Sequence, residues 1–135
     1  MGVHEINKAA FPPDIQTELE GITVYNATLS SLKRNPVTAK ALIAFANHRL
    51  QAIFLVDEHL EGMTDDALKV VLLHEVYHLK HPSASEEECD AYAKNIIGIP
   101  AYYEAVRHTK LLMAKLARQH TESEDFHDYC YQSES

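Results

Sequence analysis

Hydrophobic positions along this chain fall in blocks whose spacing changes from irregular, to strand-like, to helical. The first ten residues carry no periodicity and predict a loose arm. Phe11-Pro12-Pro13-Asp14, followed by Ile15 and Leu19, predicts a short helix opened by proline and ended by Gly21. Ile22-Thr23-Val24-Tyr25 is β-branched and aromatic, which predicts a strand, and positions 26–37, with Ser30, Ser31, Asn35 and Pro36, read as irregular connection. Two apolar runs, 41–46 and 52–56, flank Asn47-His48-Arg49-Leu50-Gln51 and predict an antiparallel hairpin with a longer loop. The Ala-rich stretch 38–46 is also compatible with a helix.

The second half is helical in pattern. Thr64-Asp65-Asp66 supplies a hydroxyl for an N-cap and two carboxylates for the first turn, and the apolar run 68–79 extends this helix toward Pro82. Val70-Val71-Leu72-Leu73 is apolar all round, so the middle of the helix is expected to be buried. Pro82-Ser83-Ala84-Ser85 breaks the chain, and positions 86–97 resume as a helix with an acidic first turn, ended at Gly98 or Pro100. From Pro100 to about Gln119, residues Tyr102, Ala105, Val106, Thr109, Leu112, Met113 and Leu116 recur at spacings of three and four, the stripe of a third amphipathic helix packed on the rest.

Composition narrows the class. At 135 residues, with 46% hydrophobic and 24% charged, the chain is the size of one ordinary globular domain, assigned to residues 1–120. Residues 121–135 hold five acidic and no basic side chains and read as a solvated, disordered acidic tail. The net charge of −8 disfavours nucleic acid and anionic membranes as partners. No apolar run approaches a membrane span and no signal peptide opens the chain, so a cytoplasmic location is expected. Cys89 and Cys130 are too few for a disulfide scaffold, which suits a reducing compartment.

The chemistry lies in His74-Glu75-Val76-Tyr77-His78, an HExxH pattern inside a predicted helix. Residues four apart on a helix differ by about 40° in azimuth and about 6 Å in rise, so both imidazoles project to one side and can share a tetrahedral metal. Glu75 sits near that metal without being forced onto it, placed to take a proton from an activated water. With nine His in the chain, random order yields the bare motif roughly 0.06 times, so the helical context adds most of the weight. The competing reading makes both histidines ordinary core-edge residues. A catalytic zinc needs a third protein ligand. Glu86 is the first choice, because a helix starting near Ser85 turns its first residues back toward the metal. His81 and Asp90 stay open as alternatives, and Asp90, four residues beyond Glu86, could instead accept a hydrogen bond from a ligand histidine. Glu86-Glu87-Glu88 also suits a plain solvated helix start. His4, His48, His59, His120 and His127 have no partner spacing and read as surface residues.

Ile53-Phe54-Leu55, Leu60, Thr64-Asp65-Asp66-Ala67-Leu68 and the run from Val71 through His81, with Ala44-Phe45-Ala46 before them, resemble the core of gluzincin metallopeptidases of the HtpX and prenyl-protease type. Glu86-Glu87-Glu88-Cys89-Asp90-Ala91-Tyr92-Ala93, with Ile96-Ile97 and Pro100, resembles the ExEA[DN]x[FY]A segment and LLxP ending of ImmA/IrrE-type peptidases. The resemblance covers about 41–100. It departs in the short gap from His78 to Glu86, in Cys89 where the pattern has Ala, and in lacking membrane spans and a helix-turn-helix.

The resemblance implies an α+β, zincin-like fold with a small antiparallel sheet, the HExxH helix and two further helices. It implies zinc held by His74, His78 and Glu86, Glu75 as general base, Asp90 behind the ligands, and hydrolysis of a protein or peptide substrate. Such enzymes add a later Tyr, His or Arg that polarises the scissile carbonyl. Tyr92, Tyr102, Tyr103, Arg107 and His108 are available, with Tyr102 on the apolar stripe and His108 preferred. The strand at 52–56 is the expected cleft wall. Cys89 is near enough to be a soft ligand, though a small buried residue is the plainer reading. Two other function classes stand beside hydrolysis: a metal-binding sensor or protein-interaction module, and a metal-free helical binding protein.

Overall fold

A computed structural model of the chain describes residues 2–32 and 43–119. The start of the first apolar run, the acidic tail at 121–135, His120, His127 and Cys130 lie outside the described residues. The architecture is α+β: one four-stranded sheet and five α-helices.

Strands β1 (Val3–Glu5), β2 (Thr23–Ala27), β3 (Ala44–Asn47) and β4 (Ala52–Val56) lie in the spatial order β1-β2-β4-β3. The β3–β4 hairpin is antiparallel, as its flanking runs predict, and Gln51 adopts φ 50° in its turn. β2 and β4 are parallel, however, with Thr23 opposite Ala52 and Ala27 opposite Val56. The sheet is therefore mixed, not purely antiparallel. The first residues are not a loose arm either, since Val3–Glu5 pairs antiparallel with β2.

β4 sits between two strands and is covered on both faces, which explains its uninterrupted apolar sequence. Ile53 and Leu55 face the main core, while Phe54 and Val56 face a smaller cluster with Ala27, Leu29, Leu32 and Phe45. On that second face the register sets Tyr25, Phe54 and Phe45 side by side, and their rings stack at 5.0 and 5.1 Å between centroids. A short helix, α2 (Leu29–Leu32), occupies part of the stretch expected to be irregular, and Leu32 closes that cluster.

The main core lies between the sheet and α3 (Asp65–Lys80), whose Leu72, Leu73 and Val76 are completely buried. α1 (Pro13–Glu18), begun at proline, adds Ile15, and Gly21, at φ +81°, turns the chain into β2. α4 (Glu86–Ile97) and α5 (Ile99–Gln119) pack on α3 away from the sheet, and Gly98, at φ +107°, ends α4. Among the described residues no helix is long and apolar enough to cross a membrane.

Candidate metal centre

Two helix starts define the centre. Thr64 caps α3 by accepting from the Ala67 N–H at 3.1 Å, which fixes the helix phase so that His74 and His78 stand one turn apart on one side. After α3 the chain turns through residues 81–85, and Ser85 begins α4 with a reciprocal capping box: the Glu88 N–H donates to Ser85 Oγ at 3.1 Å and the Ser85 N–H to Glu88 Oε1 at 2.8 Å. The three consecutive glutamates thereby separate in role. Glu88 holds the cap, and Glu86, at the first position of the helix, is turned back onto α3.

There its carboxylate meets both imidazoles. Glu86 Oε2 lies 2.7 Å from His78 Nε2, Glu86 Oε1 lies 3.1 Å from His74 Nε2, and the two Nε2 atoms are 3.2 Å apart. The other ring nitrogen of His74, Nδ1, donates to Asp90 Oδ1 at 2.7 Å, so the neutral ring carries its lone pair on Nε2. One lone pair and one carboxylate thus converge with a second imidazole nitrogen, an arrangement that calls for positive charge in the middle. Four-coordinate zinc ligands stand about 2.0–2.1 Å from the metal and hence about 3.3 Å from each other. The donor spacing and the Asp90 contact fit a divalent cation held by His74, His78 and Glu86.

The electrostatics of His74, His78 and Glu75 are unequal. Burial acts to lower the His74 pKa, but the Asp90 hydrogen bond and the carboxylates of Glu75, Asp90 and Glu86 outweigh it, and the net shift is upward. For His78 burial prevails, supported by His74 and His48 against Glu86, and the pKa falls. Glu75 is pushed up to about 7 by burial, with Glu86 and Asp90 adding repulsion and His74 opposing. A carboxyl near neutrality is suited to accept and return a proton.

The remaining residues singled out from sequence divide clearly. Cys89 is fully buried, and its sulfur and one nitrogen of each histidine lie within 4.8 Å of one another. It stands beside the histidines as a further donor, and burial together with Glu86, Glu75, Asp90 and Glu88 pushes its thiol up to about 11. His81 stacks on Tyr77 at 4.2 Å between centroids, away from the imidazole pair. Asp90 is engaged through His74, as an orienting group. His108 is not brought to the centre: its Nε2 donates to the His59 carbonyl at 2.8 Å. The physical reason is helix phase, since His108 lies off the side of α5 that faces α3. His59 is itself buried, contrary to the surface position expected of it. His48 is exposed, but its Nε2 donates to the His78 carbonyl at 2.8 Å, tying the β3–β4 turn to the end of α3. Only the three-dimensional return of the hairpin reveals that contact.

A cleft of about 440 Å³ opens beside the centre between α3 and α5, and His74, Glu75, Glu86 and Asp90 line one end of it. Tyr102, Ala105, Val106, Thr109 and Met113 of α5 form the opposite wall, so part of the stripe read as core is the wall of an open groove. Of the five residues considered for polarising a carbonyl, Tyr102 is the one lining this cleft, and its hydroxyl donates to Asp90 Oδ2 at 3.4 Å. Ile43 and Ala44, at the start of β3, line the cleft, whereas β4 is enclosed between β2 and β3. The strand beside the site is therefore β3, not 52–56. No family model, no curated protein and no solved structure matches this chain.

Proposed function

We propose that the protein is a zinc-dependent peptidase on a minimal zincin-like fold. The observation that carries this reading is the convergence of His74 Nε2, His78 Nε2 and the Glu86 carboxylate within 2.7–3.2 Å, with Glu75 lining the adjoining cleft. His74, His78 and Glu86 would hold the zinc, which would supply a Lewis acid for activating water. Asp90 keeps the proton of His74 on Nδ1 and so keeps Nε2 free as a ligand. Glu75, which lines the cleft beside the histidines, would take the proton of the attacking water on its carboxylate and pass it to the leaving amine. Tyr102 offers the hydroxyl that faces the scissile carbonyl. An extended peptide joins the sheet along the outer edge of β3, which pairs only with β4 among the described residues.

One contact favours a second reading. Cys89 is near enough to complete a four-ligand set with His74, His78 and Glu86, and a closed set belongs to a structural or sensing site. Metal content and turnover separate the two. The peptidase reading expects about one zinc per chain, lost in Glu86→Ala and retained in Cys89→Ala, and cleavage of a peptide library that falls about 10³-fold in Glu75→Gln. Zinc lost in Cys89→Ala together with no cleavage by wild type supports the closed site. Cleavage by Glu75→Gln at the wild-type rate refutes the mechanism.

A further inference from the structure

The cleft beside the metal centre has two chemically different ends. At one end stand His74, Glu75, Glu86 and Asp90. Its middle is apolar, walled by Val70 and Val71 of α3, Ala105 and Val106 of α5, Ala44 of β3 and Ile43 just before it. Toward the other end the lining includes a single basic side chain, Lys110. Lys69 pairs with Asp66, Lys80 with Glu18, and Lys94 lies over the Tyr102 ring. Lys110 is exposed and has no ion pair or hydrogen bond with any described residue.

Resting on the peptidase reading, we propose that Lys110 selects the substrate. It binds the carboxylate side chain of an Asp or Glu in a peptide whose bulky apolar side chain fills the groove between α3 and α5. Three observations lead there. The cleft volume of about 440 Å³ falls in the range of small-ligand sites, and among the described residues its middle offers no polar partner except Thr109, so an apolar side chain is the natural filling. Lys110 follows Tyr102 by eight residues on α5, a rise of about 12 Å. That is the span of three to four residues of extended chain at about 3.3 Å each, which sets the carboxylate a few residues from the bond at the metal centre. The lining also continues one turn past Lys110 to Met113. The groove thus does not stop at the lysine, and this favours an internal acidic residue over a peptide's terminal carboxylate. A charge-assisted hydrogen bond to the ammonium also fixes direction, because an acidic residue at the opposite end would meet Glu75, Glu86 and Asp90. Lys115, equally without a partner among the described residues but outside the lining, serves as the control.

Binding is read apart from turnover by using full-length, zinc-loaded Glu75→Gln and fluorescein-labelled ten-residue peptides with amidated C-termini. Each carries one Phe in an Ala/Gly background, with Glu, Gln or Lys placed one to four residues from it. The expected result is one spacing at which Glu binds at least about 10-fold tighter than Gln. That preference disappears in Lys110→Gln, turns toward the Lys peptide in Lys110→Glu, and persists in Lys115→Glu. Equal binding of Glu and Gln peptides at every spacing overturns the inference. So does a preference that survives Lys110→Glu, or one seen only when the C-terminus is a free acid. Wild-type zinc protein is then incubated with the same peptides. Lys110-dependent binding without cleavage leaves the inference standing and removes the peptidase reading. Cleavage indifferent to Glu does the reverse.

Discussion

The two sides of α3 have opposite physical characters within the same sixteen residues. Toward the sheet it presents Leu72, Leu73 and Val76, all completely buried against Ile53, Leu55 and Val24. Away from the sheet it presents His74, Glu75 and His78, each partly buried and each held near other ionisable groups. The first side holds the fold together through apolar burial and close packing. The second buries the Glu75 carboxyl near those of Glu86 and Asp90, so burial and repulsion both oppose its ionisation in the folded state. Interleaving the two on one helix means that a rigid core fixes the directions of the imidazoles, and that the site's cost is borne by the strongest element of the fold.

The largest effect expected from breaking this arrangement is on the sheet side. Leu73→Ala removes a side chain with no exposed surface and should cost about 3 kcal/mol in urea unfolding, with the metal-free and zinc-loaded proteins losing similar amounts. Next is Glu75, on the other side. Its folded pKa of about 7 lies above the unfolded value near 4.5, so the folded state binds the proton more tightly. The stabilising contribution is whole below pH 4.5 and is lost as the pH rises through about 7. In the metal-free protein Glu75→Gln should therefore gain about 3 kcal/mol at pH 8 and almost nothing at pH 4. Thermal melts across that pH range check it, and a variant no more stable than wild type at pH 8 would show that the site side carries no such cost. The smallest effect belongs to the cap that brings Glu86 onto α3. Ser85→Ala should lose about 1 kcal/mol of stability while weakening zinc binding, measured by competition with a chelating dye. Affinity unchanged by that substitution would mean that Glu86 finds the histidines without the cap.

What could be read from sequence follows the range of the interactions involved. α3, α4 and α5 were legible because their signals are local: Thr64 and Ser85 at N-caps, Gly98 at a helix end, and apolar spacing between. The grouping of His74, His78, Glu86 and Asp90 was legible for the same reason, since a single short turn joins the two helices. The parallel pairing of β2 with β4 was not, because nothing in either strand encodes a neighbour so distant along the chain. β1 escaped because its three residues are all exposed and carry no alternation. That Tyr102 rather than His108 borders the cleft was not legible, because an apolar stripe on a helix is ordinarily read as meeting a closed core. On α5 that stripe borders an open groove, so Tyr102 lines the site and His108 points to the His59 carbonyl.

The stacked rings of Tyr25, Phe54 and Phe45 have a spectroscopic consequence. The chain contains no tryptophan, so its near-ultraviolet dichroism comes chiefly from tyrosine and phenylalanine, and this row lies on the face of the sheet opposite α3. Tyr77 and Tyr92, 4.7 Å apart between ring centroids, form a separate chromophore between α3, which carries His74 and His78, and α4, which carries Glu86. One heated sample thus carries two optical reporters, one for the helices around His74 and His78 and one for the melting of the sheet.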